Sequence, residues 1–249
     1  MRFAGKTVLV TGGASGIGQG IALAFAQQGA NVAITHLTSD PEPTIDKIQA
    51  MDRRVLAIRA DLRDEATVEG VVQQTVSTLG GLDILVANAG GLVKRARVVD
   101  TPLELWSEVV AVNLTATFLC CRAALRHMER NRGGNLILVS SLAGHDGGGL
   151  GASHYAAAKG AILTYTRAVA KEVGHLGIRV NGVAPGLIAT SFHDRFTPPD
   201  GRRATVERTP LRREGTARDV AGAVLFLASD ESDFITGETI EINGGLGVY

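Results

Sequence analysis

The sequence predicts an α/β domain built on one doubly wound sheet of about seven parallel strands, with helices on both faces. Apolar runs of strand length recur along the chain and lack the polar alternation of half-exposed strands. Longer segments of helical period separate these runs, as expected for parallel strands joined by right-handed crossovers. The 249 residues are enough to bury such a core, so we expect a single domain over residues 1–249.

The predicted strands are short and evenly distributed. They lie at Thr7–Val10, Val32–Thr35, Val55–Ile58, Ile84–Ala87, Leu136–Val139, Arg179–Ala184 and Thr239–Ile242. In the first predicted helix, one face contains Ile17, Ile21, Ala24 and Phe25. In another, one face contains Val68, Val71, Val72, Thr75 and Val76. The region from about 190 to 215 has no clear period, and we interpret it as an insertion that closes over a substrate.

The composition argues against several classes of protein. Lysine plus arginine equals aspartate plus glutamate, 25 against 25, so no net charge draws the chain to nucleic acid or to an anionic membrane. Cys120 and Cys121 lie in an apolar stretch, where packing explains them better than disulfides, and this fits a cytoplasmic protein. The first apolar run is too short for a signal peptide, and no run reaches the ~20 apolar residues of a membrane span.

A glycine-rich segment, TGGASGIG from Thr11 to Gly18, follows the first predicted strand directly. A glycine turn between a first strand and a first helix lets backbone amides face a pyrophosphate, with the positive end of the helix behind them. The spacing Gly12-x3-Gly16-x-Gly18 differs from G-x-G-x-x-G, although the mechanics are the same. The segment therefore predicts a dinucleotide site.

A second group of polar residues lies in the middle of the chain. Tyr155 and Lys159 are four residues apart in a helical segment, so they share one face. Upstream, a buried-type strand ends in Ser140 and Ser141, and Asn113 interrupts an apolar helical pattern. A free tyrosine has a pKa of about 10 and is a poor base unless a nearby cation favours the phenolate. Lys159 is placed to supply that charge.

These motifs resemble the short-chain dehydrogenase/reductase family, and the resemblance, which covers essentially the whole chain, implies a Rossmann fold. The segment similar to the family's cofactor loop contains Thr11, Gly12, Ser15, Gly16, Ile17 and Gly18. The strand-four motif is matched by Asn88, Ala89 and Gly90. The catalytic tetrad of the family is matched by Asn113, Ser141, Tyr155 and Lys159.

The resemblance also implies contacts with NAD or NADP. Asp61 and Leu62 resemble the adenine contact. The segment similar to the one that holds the nicotinamide amide runs through Pro185, Gly186, Leu187, Ile188, Ala189 and Thr190. Its expected contacts are the backbone of Ile188 and the hydroxyl of Thr190.

In the mechanism that the resemblance implies, Tyr155 exchanges a proton with an alcohol or ketone oxygen while hydride moves to or from the nicotinamide. Ser141 orients the same oxygen, Lys159 also binds the nicotinamide ribose, and Asn113 holds a water that links Lys159 to solvent. Ser141 precedes Tyr155 by 14 residues, one more than in many relatives, which leaves Ser140 as an alternative although Ser-Ser-x-Ala-Gly favours Ser141.

The segment between Ser141 and Tyr155 is glycine-heavy from Gly144 to Gly151, and we expect a looser loop there beside the substrate. His145 and His154 flank this loop. Their spacing does not suggest metal ligands, and no metal site is predicted.

The choice of cofactor depends on the end of the second strand, where an acidic residue would bind the ribose hydroxyls and repel a 2′-phosphate. Here His36 takes that place, and Thr38 and Ser39 offer hydroxyls to a phosphate. Ser15 and Leu37 provide no strong cation, although protonated His36 supplies part of the charge. We therefore expect a modest preference for NADP over NAD, with both accepted.

The expected function is an oxidoreductase that interconverts a secondary alcohol and a ketone. His193, Asp194 and Arg195 favour a sugar or polyol as the small-molecule substrate, and a 3-oxoacyl thioester of acyl carrier protein is the alternative. A non-catalytic dinucleotide-binding protein is disfavoured because no member of the tetrad is missing. The last strand resembles one that commonly lies at a subunit interface, and the apolar tail Leu246–Tyr249 is a poor free end in water, so we expect a homotetramer.

Overall fold

The computed structural model describes all residues, Met1–Tyr249, and contains one sheet of 7 strands. The strands are β1 (Thr7–Val10), β2 (Asn31–His36), β3 (Val55–Arg59), β4 (Ile84–Ala87), β5 (Gly134–Val139), β6 (Ile178–Pro185) and β7 (Thr239–Ile242). Their order is β3-β2-β1-β4-β5-β6-β7, and every neighbouring pair is parallel. The predicted fold class is confirmed, and each predicted strand is present.

Helices connect the strands. They are α1 (Gly16–Gln27), α2 (Glu42–Gln49), α3 (Glu65–Leu79), α4 (Leu103–Val110), α5 (Ala116–Asn131), α6 (Ala143–Asp146), α7 (Ser153–Val173), α8 (Ser191–Phe196), α9 (Pro199–Arg208) and α10 (Ala217–Ala228). A π-helical turn, Ala111–Thr115, joins α4 to α5. Local signals mark the ends of some helices: the Asp64 side chain caps α3, Gly80 ends it with φ +93°, and Thr216 and Asp219 form a capping box on α10.

The two faces of the sheet bury separate apolar layers. One layer contains side chains from α3, α5 and α7, and the other contains side chains from α1 and α10. Ile21 and Phe25 of the first predicted helix face are buried, whereas Ile17 and Ala24 are only partly covered. The second predicted face is buried except for Val76, which is partly covered.

One helical segment passes a test of length and average hydropathy for a membrane span, although it contains no run of about 20 apolar residues. The continuous helical segment Leu103–Asn131 has 29 residues and a window of mean hydropathy 1.5. The sequence argument counted unbroken apolar runs, whereas averaging tolerates the polar residues in this segment. In the fold, 50% of that window is buried inside the protein, and α5 packs against α3 and β4. It is therefore placed as a core helix of the domain.

The region from about 190 to 215 is an excursion from the sheet whose two ends, here called the stems, pair with each other. Ile188 forms a parallel bridge with Gly215, and the amide of Gly215 donates to the carbonyl of Leu187 at 2.9 Å. Between the stems, Arg202 forms ion pairs with Asp194 and Glu214. The segment is thus helical and internally tied, and its role in closing over a substrate stays a prediction.

Candidate active site

A cleft of about 870 Å³ opens along the carboxyl ends of the strands. Strand order reverses between β1 and β4, so the loops that follow these strands turn to opposite sides and leave a crevice. The cleft brings together all of the predicted site residues except the π-turn asparagine, which lies just behind it. Its lining includes Gly12, Ser15, His36, Asp61, Asn88, Ser141, Tyr155, Lys159, Pro185, Gly186, Ile188 and Thr190.

The glycine loop is built from close approaches that a side chain would block. Gly12 and Gly16 have φ of +66° and +55°, and a Cβ on Gly18 would overlap the carbonyl oxygen of Gly12. The amides of Gly16, Ile17 and Gly18 begin α1 and donate no hydrogen bond within the protein. Unpaired amides at the positive end of a helix are what a pyrophosphate needs, so the loop fits the predicted dinucleotide.

The strand-four motif holds this loop in place. The side chain of Asn88 donates to the carbonyl of Thr11 at 2.8 Å, and the amides of Asn88 and Ala89 each donate to the Thr11 hydroxyl at 2.9 Å. The end of β4 is thereby cross-linked to the end of β1, its neighbour at the point where the strand order reverses.

Two arginines near the adenosine end of the cleft were missed by the sequence argument. Arg59 donates from Nε to the carbonyl of Leu37 at 3.3 Å and has no carboxylate partner. Arg63 lines the cleft but holds the Asp61 carboxylate, and this contact lowers the pKa of Asp61. Parallel pairing sets Arg59 beside His36, although Arg59 is exposed and is not among the residues that line the cleft, so the expectation that Ser15 and Leu37 provide no strong cation stays a prediction. Strand register was the signal that could have revealed this neighbour of His36.

The turn after β2 is compact. His36 Nδ1 lies 3.1 Å from the carbonyl oxygen of Ser39, and the hydroxyls of Ser15 and Ser39 are 3.4 Å apart. Thr38 also lines the cleft. The predicted hydroxyls and imidazole are thus close together at the same end of the site.

The hydroxyl groups of the two serines after β5 have different hydrogen-bond partners. The Ser140 hydroxyl is buried and donates to the backbone carbonyl of Lys159 at 2.7 Å. The Ser141 hydroxyl instead accepts from the amide of Ala143 at 3.2 Å, lines the cleft and lies near enough to Tyr155 to lower its pKa slightly. Of the alternatives, Ser141 therefore shares its polar face with the tyrosine, whereas Ser140 ties α7 to the sheet.

Burial controls the ionisation of Tyr155 and Lys159. The pKa of Tyr155 is raised to about 12 by burial, against a smaller opposite effect of the Ser141 hydroxyl. Burial lowers the pKa of Lys159 to about 8, and its amine donates to the carbonyl of Val139 at 2.7 Å. The expected lowering of the tyrosine pKa by the lysine is therefore not found: Lys159 Nζ lies 5.8 Å from the Tyr155 ring centroid and is directed at Val139.

Asn113 lies in the π-helical turn and is fully buried. Its amide group donates to the carbonyls of Gly91 and Val109, both at 2.8 Å, and its Oδ1 accepts from the Gly91 amide at 3.1 Å. A Cβ on Gly90 would lie 2.5 Å from this Oδ1 and 3.4 Å from Lys159 Nζ, so Gly90 permits both groups to approach. Asn113 therefore fixes the segment 90–91 behind the cleft.

The segment predicted to hold the nicotinamide amide closes the other side of the cleft. A Cβ on Gly186 would lie 2.8 Å from the Cβ of Asn243, and Ile188 is buried beside the stem bridge. The Thr190 hydroxyl donates to the Ile188 carbonyl at 3.3 Å. A Cβ on Gly16 would lie 3.6 Å from the Thr190 side chain, so this segment faces the glycine loop across the cleft.

The polar residues that suggested a sugar or polyol do not act as a group. His193 lines the cleft, and its Nδ1 lies 2.9 Å from the Thr197 hydroxyl. Asp194 is paired with Arg202, and the Arg195 guanidinium lies over the Phe196 ring. Successive side chains of a helix such as α8 point in different directions, so these three residues do not share one face. In this part of α8, Phe192 and His193 line the cleft.

The glycine-heavy loop is better anchored than expected. Its first part forms α6, which packs so closely on α7 that a Cβ on Gly144 would lie 2.8 Å from the Lys159 carbonyl carbon. Arg95, which sequence reasoning missed and no local motif marks, donates to the carbonyls of Leu150 and Phe196 at 2.6 and 2.9 Å. This arginine ties the loop to α8 across the mouth of the cleft. No group of three or more histidine, cysteine or acidic side chains is arranged to hold a metal ion.

Comparisons with known proteins agree with this geometry. A family model described as enoyl-(acyl carrier protein) reductase matches residues 12–247. Cyclohexanol dehydrogenase of Rhodococcus sp. strain TK6 is 40% identical over 97% of this chain and 96% of its own. The 3-oxoacyl-acyl-carrier-protein reductase FabG of Escherichia coli K12 is 37% identical over 99% of both chains. The solved structure of a 7α-hydroxysteroid dehydrogenase, complexed with NADH and 7-oxo glycochenodeoxycholic acid, superposes with TM-score 0.93 at 31% identity, over 98% of this chain and 95% of that one.

The chain therefore belongs to the short-chain dehydrogenase/reductase family, and it is an oxidoreductase with a Rossmann-type sheet. The family expected from the motifs is confirmed.

The buried amine of Lys159 should make stability depend on pH. Its folded pKa of about 8 lies below the ordinary 10.5, so the folded protein binds fewer protons than the unfolded chain between these values, and stability rises with pH across that interval. We expect Lys159→Met to stabilise the protein at neutral pH by on the order of 1–3 kcal/mol, with the gain shrinking as pH approaches the unfolded pKa.

Thermal unfolding of wild type and variant across this pH range measures the effect. Lys171→Met, on the exposed last turn of the same helix, is the control and should show no such pH-dependent gain. A Lys159→Met protein that is less stable than wild type at neutral pH contradicts the argument.

Proposed function

We propose that this protein interconverts a secondary alcohol and a ketone with NAD or NADP as the hydride carrier. The observation that carries the proposal is that Ser141 and Tyr155 line the same cleft as the glycine loop with its unpaired amides. Two hydroxyls can bind one carbonyl oxygen, and a helix N-terminus can bind the pyrophosphate of a dinucleotide. The reaction class agrees with the relatives named above.

The residues of the chain supply the proton transfer and the orientation. Tyr155 is protonated at neutral pH because burial raises its pKa to about 12, so it is set to donate a proton to a ketone oxygen. Ser141 holds the same oxygen and fixes its orientation. When a nicotinamide dinucleotide is bound, it supplies or accepts the hydride. In the oxidation direction Tyr155 first gives its own proton to solvent, and the resulting phenolate takes the alcohol proton. Lys159 favours the phenolate electrostatically and binds the ribose.

The substrate half of the cleft supports two classes of substrate. Leu92, Leu142, Leu187 and Phe192 line it and favour an apolar alcohol, as does the relative that is a cyclohexanol dehydrogenase. Arg95 and Arg208 also line the cleft, and these cations favour the second candidate, a 3-oxoacyl thioester on an anionic carrier, as in FabG. A sugar or polyol has weaker support, because of the three polar residues that suggested it only His193 lines the cleft.

The preference for NADP stays part of the proposal and gains support from Arg59. A phosphate near His36, Thr38 and Ser39 would lie at the end of the cleft where this unpaired guanidinium contacts Leu37. Arg63 contributes less because Asp61 neutralises it.

We also propose a homotetramer, as well as a cytoplasmic location with neither membrane nor nucleic acid as a partner. Exposed apolar side chains on the outer faces of α4 and α5 support the assembly. Leu103, Trp106 and Phe118 are 72, 42 and 40% exposed, and Phe234 near the last strand is fully exposed. Contiguous patches of this kind commonly mark contacts between subunits.

Tyr155→Phe should abolish turnover while leaving the affinity for cofactor within a few-fold, because it removes the hydroxyl and almost no volume. General acid–base groups contribute about 10² to 10⁴ in rate. Steady-state kinetics on a converted alcohol and fluorescence titration with the reduced cofactor measure the two quantities. Tyr165→Phe, on the same helix but outside the cleft, is the control, and near-normal kcat in Tyr155→Phe would refute the assignment.

The cofactor preference can be measured as kcat/KM for NADP and NAD at about pH 6 and about pH 8. We expect a modest preference for NADP that is larger at the lower pH. His36→Asp should move the preference towards NAD, whereas His36→Asn separates loss of the cation from gain of an anion. A tenfold preference of the wild type for NAD at both pH values would contradict the proposal.

Light scattering at micromolar concentration tests the assembly. The expected mass is four times that of the 26.0 kDa chain. Phe118→Asp should lower it by placing a charge within an apolar contact. A wild-type monomer would count against the homotetramer.

A further inference from the structure

The chain ends in a tail that is held against the substrate half of the cleft. After β7, the Asn243 side chain donates to the carbonyl of Gly247 and accepts from the amide of Gly245, both at 2.9 Å. The amide of Leu246 donates to the Asn243 carbonyl at 3.2 Å. One buried asparagine thus folds the tail into a turn and sets the direction of its last residues.

The last side chain, Tyr249, lies flat on His145 of α6. The two rings are stacked with centroids 4.5 Å apart and planes 10° apart. His145 Nε2 lies 2.8 Å from Oε1 of Glu241 on β7, a close contact without hydrogen-bond geometry. Gly247 makes the arrangement possible, because a Cβ there would lie 2.7 Å from both Leu142 and the Tyr249 ring.

The tail lies beside the segment that follows Ser141, because a Cβ on Gly247 would lie 2.7 Å from Leu142. Tyr249 and Leu246 line the same cleft as Tyr155, and Leu142 directly follows Ser141. A second aromatic ring, Phe192, has its centroid 5.9 Å from that of Tyr155. The substrate half is therefore bounded by aromatic and aliphatic side chains contributed by α6, α8 and the tail.

We propose that Tyr249, backed by His145, forms the outer wall of the substrate pocket and selects secondary alcohols and ketones whose reacting carbon belongs to an apolar ring. The inference rests on the proposed function. A ring presents a flat apolar face to an aromatic wall and loses little conformational freedom on binding, whereas an open chain must be ordered to make the same contact. The tail then acts on substrate binding and not on the proton transfer.

The assignment differs from the expectation that the apolar tail is only a subunit contact. Val248 and Tyr249 are both exposed, to 88% and 66%, but only Tyr249 lines the cleft. Tyr249 keeps its ring on His145, within the same chain. Substitutions at these neighbouring positions therefore separate the two roles.

The test compares cyclohexanol with the enantiomers of 2-hexanol, which have the same number of carbons, using the full-length protein and the preferred cofactor. We expect wild type to prefer the ring, and Tyr249→Ala to lower the ring-to-chain ratio of kcat/KM about tenfold, mainly through KM. Tyr249→Phe should keep the ratio because the ring remains. Val248→Ala is the matched control in the tail and should also keep it.

Two further measurements sharpen the outcome. His145→Ala should lower the same ratio in part, because it removes the support behind the ring. Thermal unfolding shows whether Tyr249→Ala remains folded, and an unchanged kcat on 2-hexanol shows that the chemistry is intact.

A ratio that is unchanged in Tyr249→Ala, or an equal loss on both alcohols, overturns the role of Tyr249 while leaving the proposed function in place. A wild type without ring preference does the same. Failure of the wild type to oxidise either alcohol or to reduce either corresponding ketone overturns the ring preference, and the proposed function falls with it only where a 3-oxoacyl thioester is not reduced either.

Discussion

Two buried hydrogen bonds between β5 and α7 set the geometry on which the site depends. The Ser140 hydroxyl donates to the carbonyl of Lys159, and the Lys159 amine donates to the carbonyl of Val139, each at 2.7 Å. Together these two hydrogen bonds fix the position of α7 against the end of β5. With both in place, Tyr155 one turn earlier lies near Ser141 one residue later. The arrangement has a cost, because the amine is removed from water and its pKa falls to about 8.

Close approaches of backbone to backbone or to side chain hold the remaining parts around this pair. Gly144 lets α6 lie directly on α7 at Lys159, and Gly90 lets Asn113 approach the lysine from behind. Gly18 brings the start of α1 onto the loop after β1. At each of these positions a methyl group would meet an atom at or inside van der Waals distance, so the site is shaped by where side chains are missing. Glycines outside the loop after β1, such as Gly90 and Gly144, therefore shape the site as well.

The strands and the family could be predicted because both depend on local patterns. Apolar runs locate buried parallel strands wherever they occur, and motifs such as Tyr155-x3-Lys159 are contiguous. What could not be predicted depends on contacts between distant residues. Arg59 reaches the cofactor end through the register of β2 and β3, Arg95 bridges two loops, and Asp194 turns away to Arg202. The direction of the Tyr155 pKa was missed for the same reason, since burial is a property of the folded chain and outweighs a lysine whose amine is engaged elsewhere.

The two halves of the cleft differ in the chemical character of their linings. In the proposed function, the half at the glycine loop offers unpaired amides that suit a pyrophosphate, whereas the other half offers aromatic and aliphatic walls that suit an apolar substrate. The proton chemistry lies at their boundary. Because Tyr155 has a pKa near 12 and Lys159 near 8, the lysine is the one of the pair that titrates close to neutral pH, while the tyrosine remains protonated. In the proposed reaction, the proton that Tyr155 gives to a ketone is replaced from solvent, and Lys159 is the adjoining group whose charge can respond to that loss.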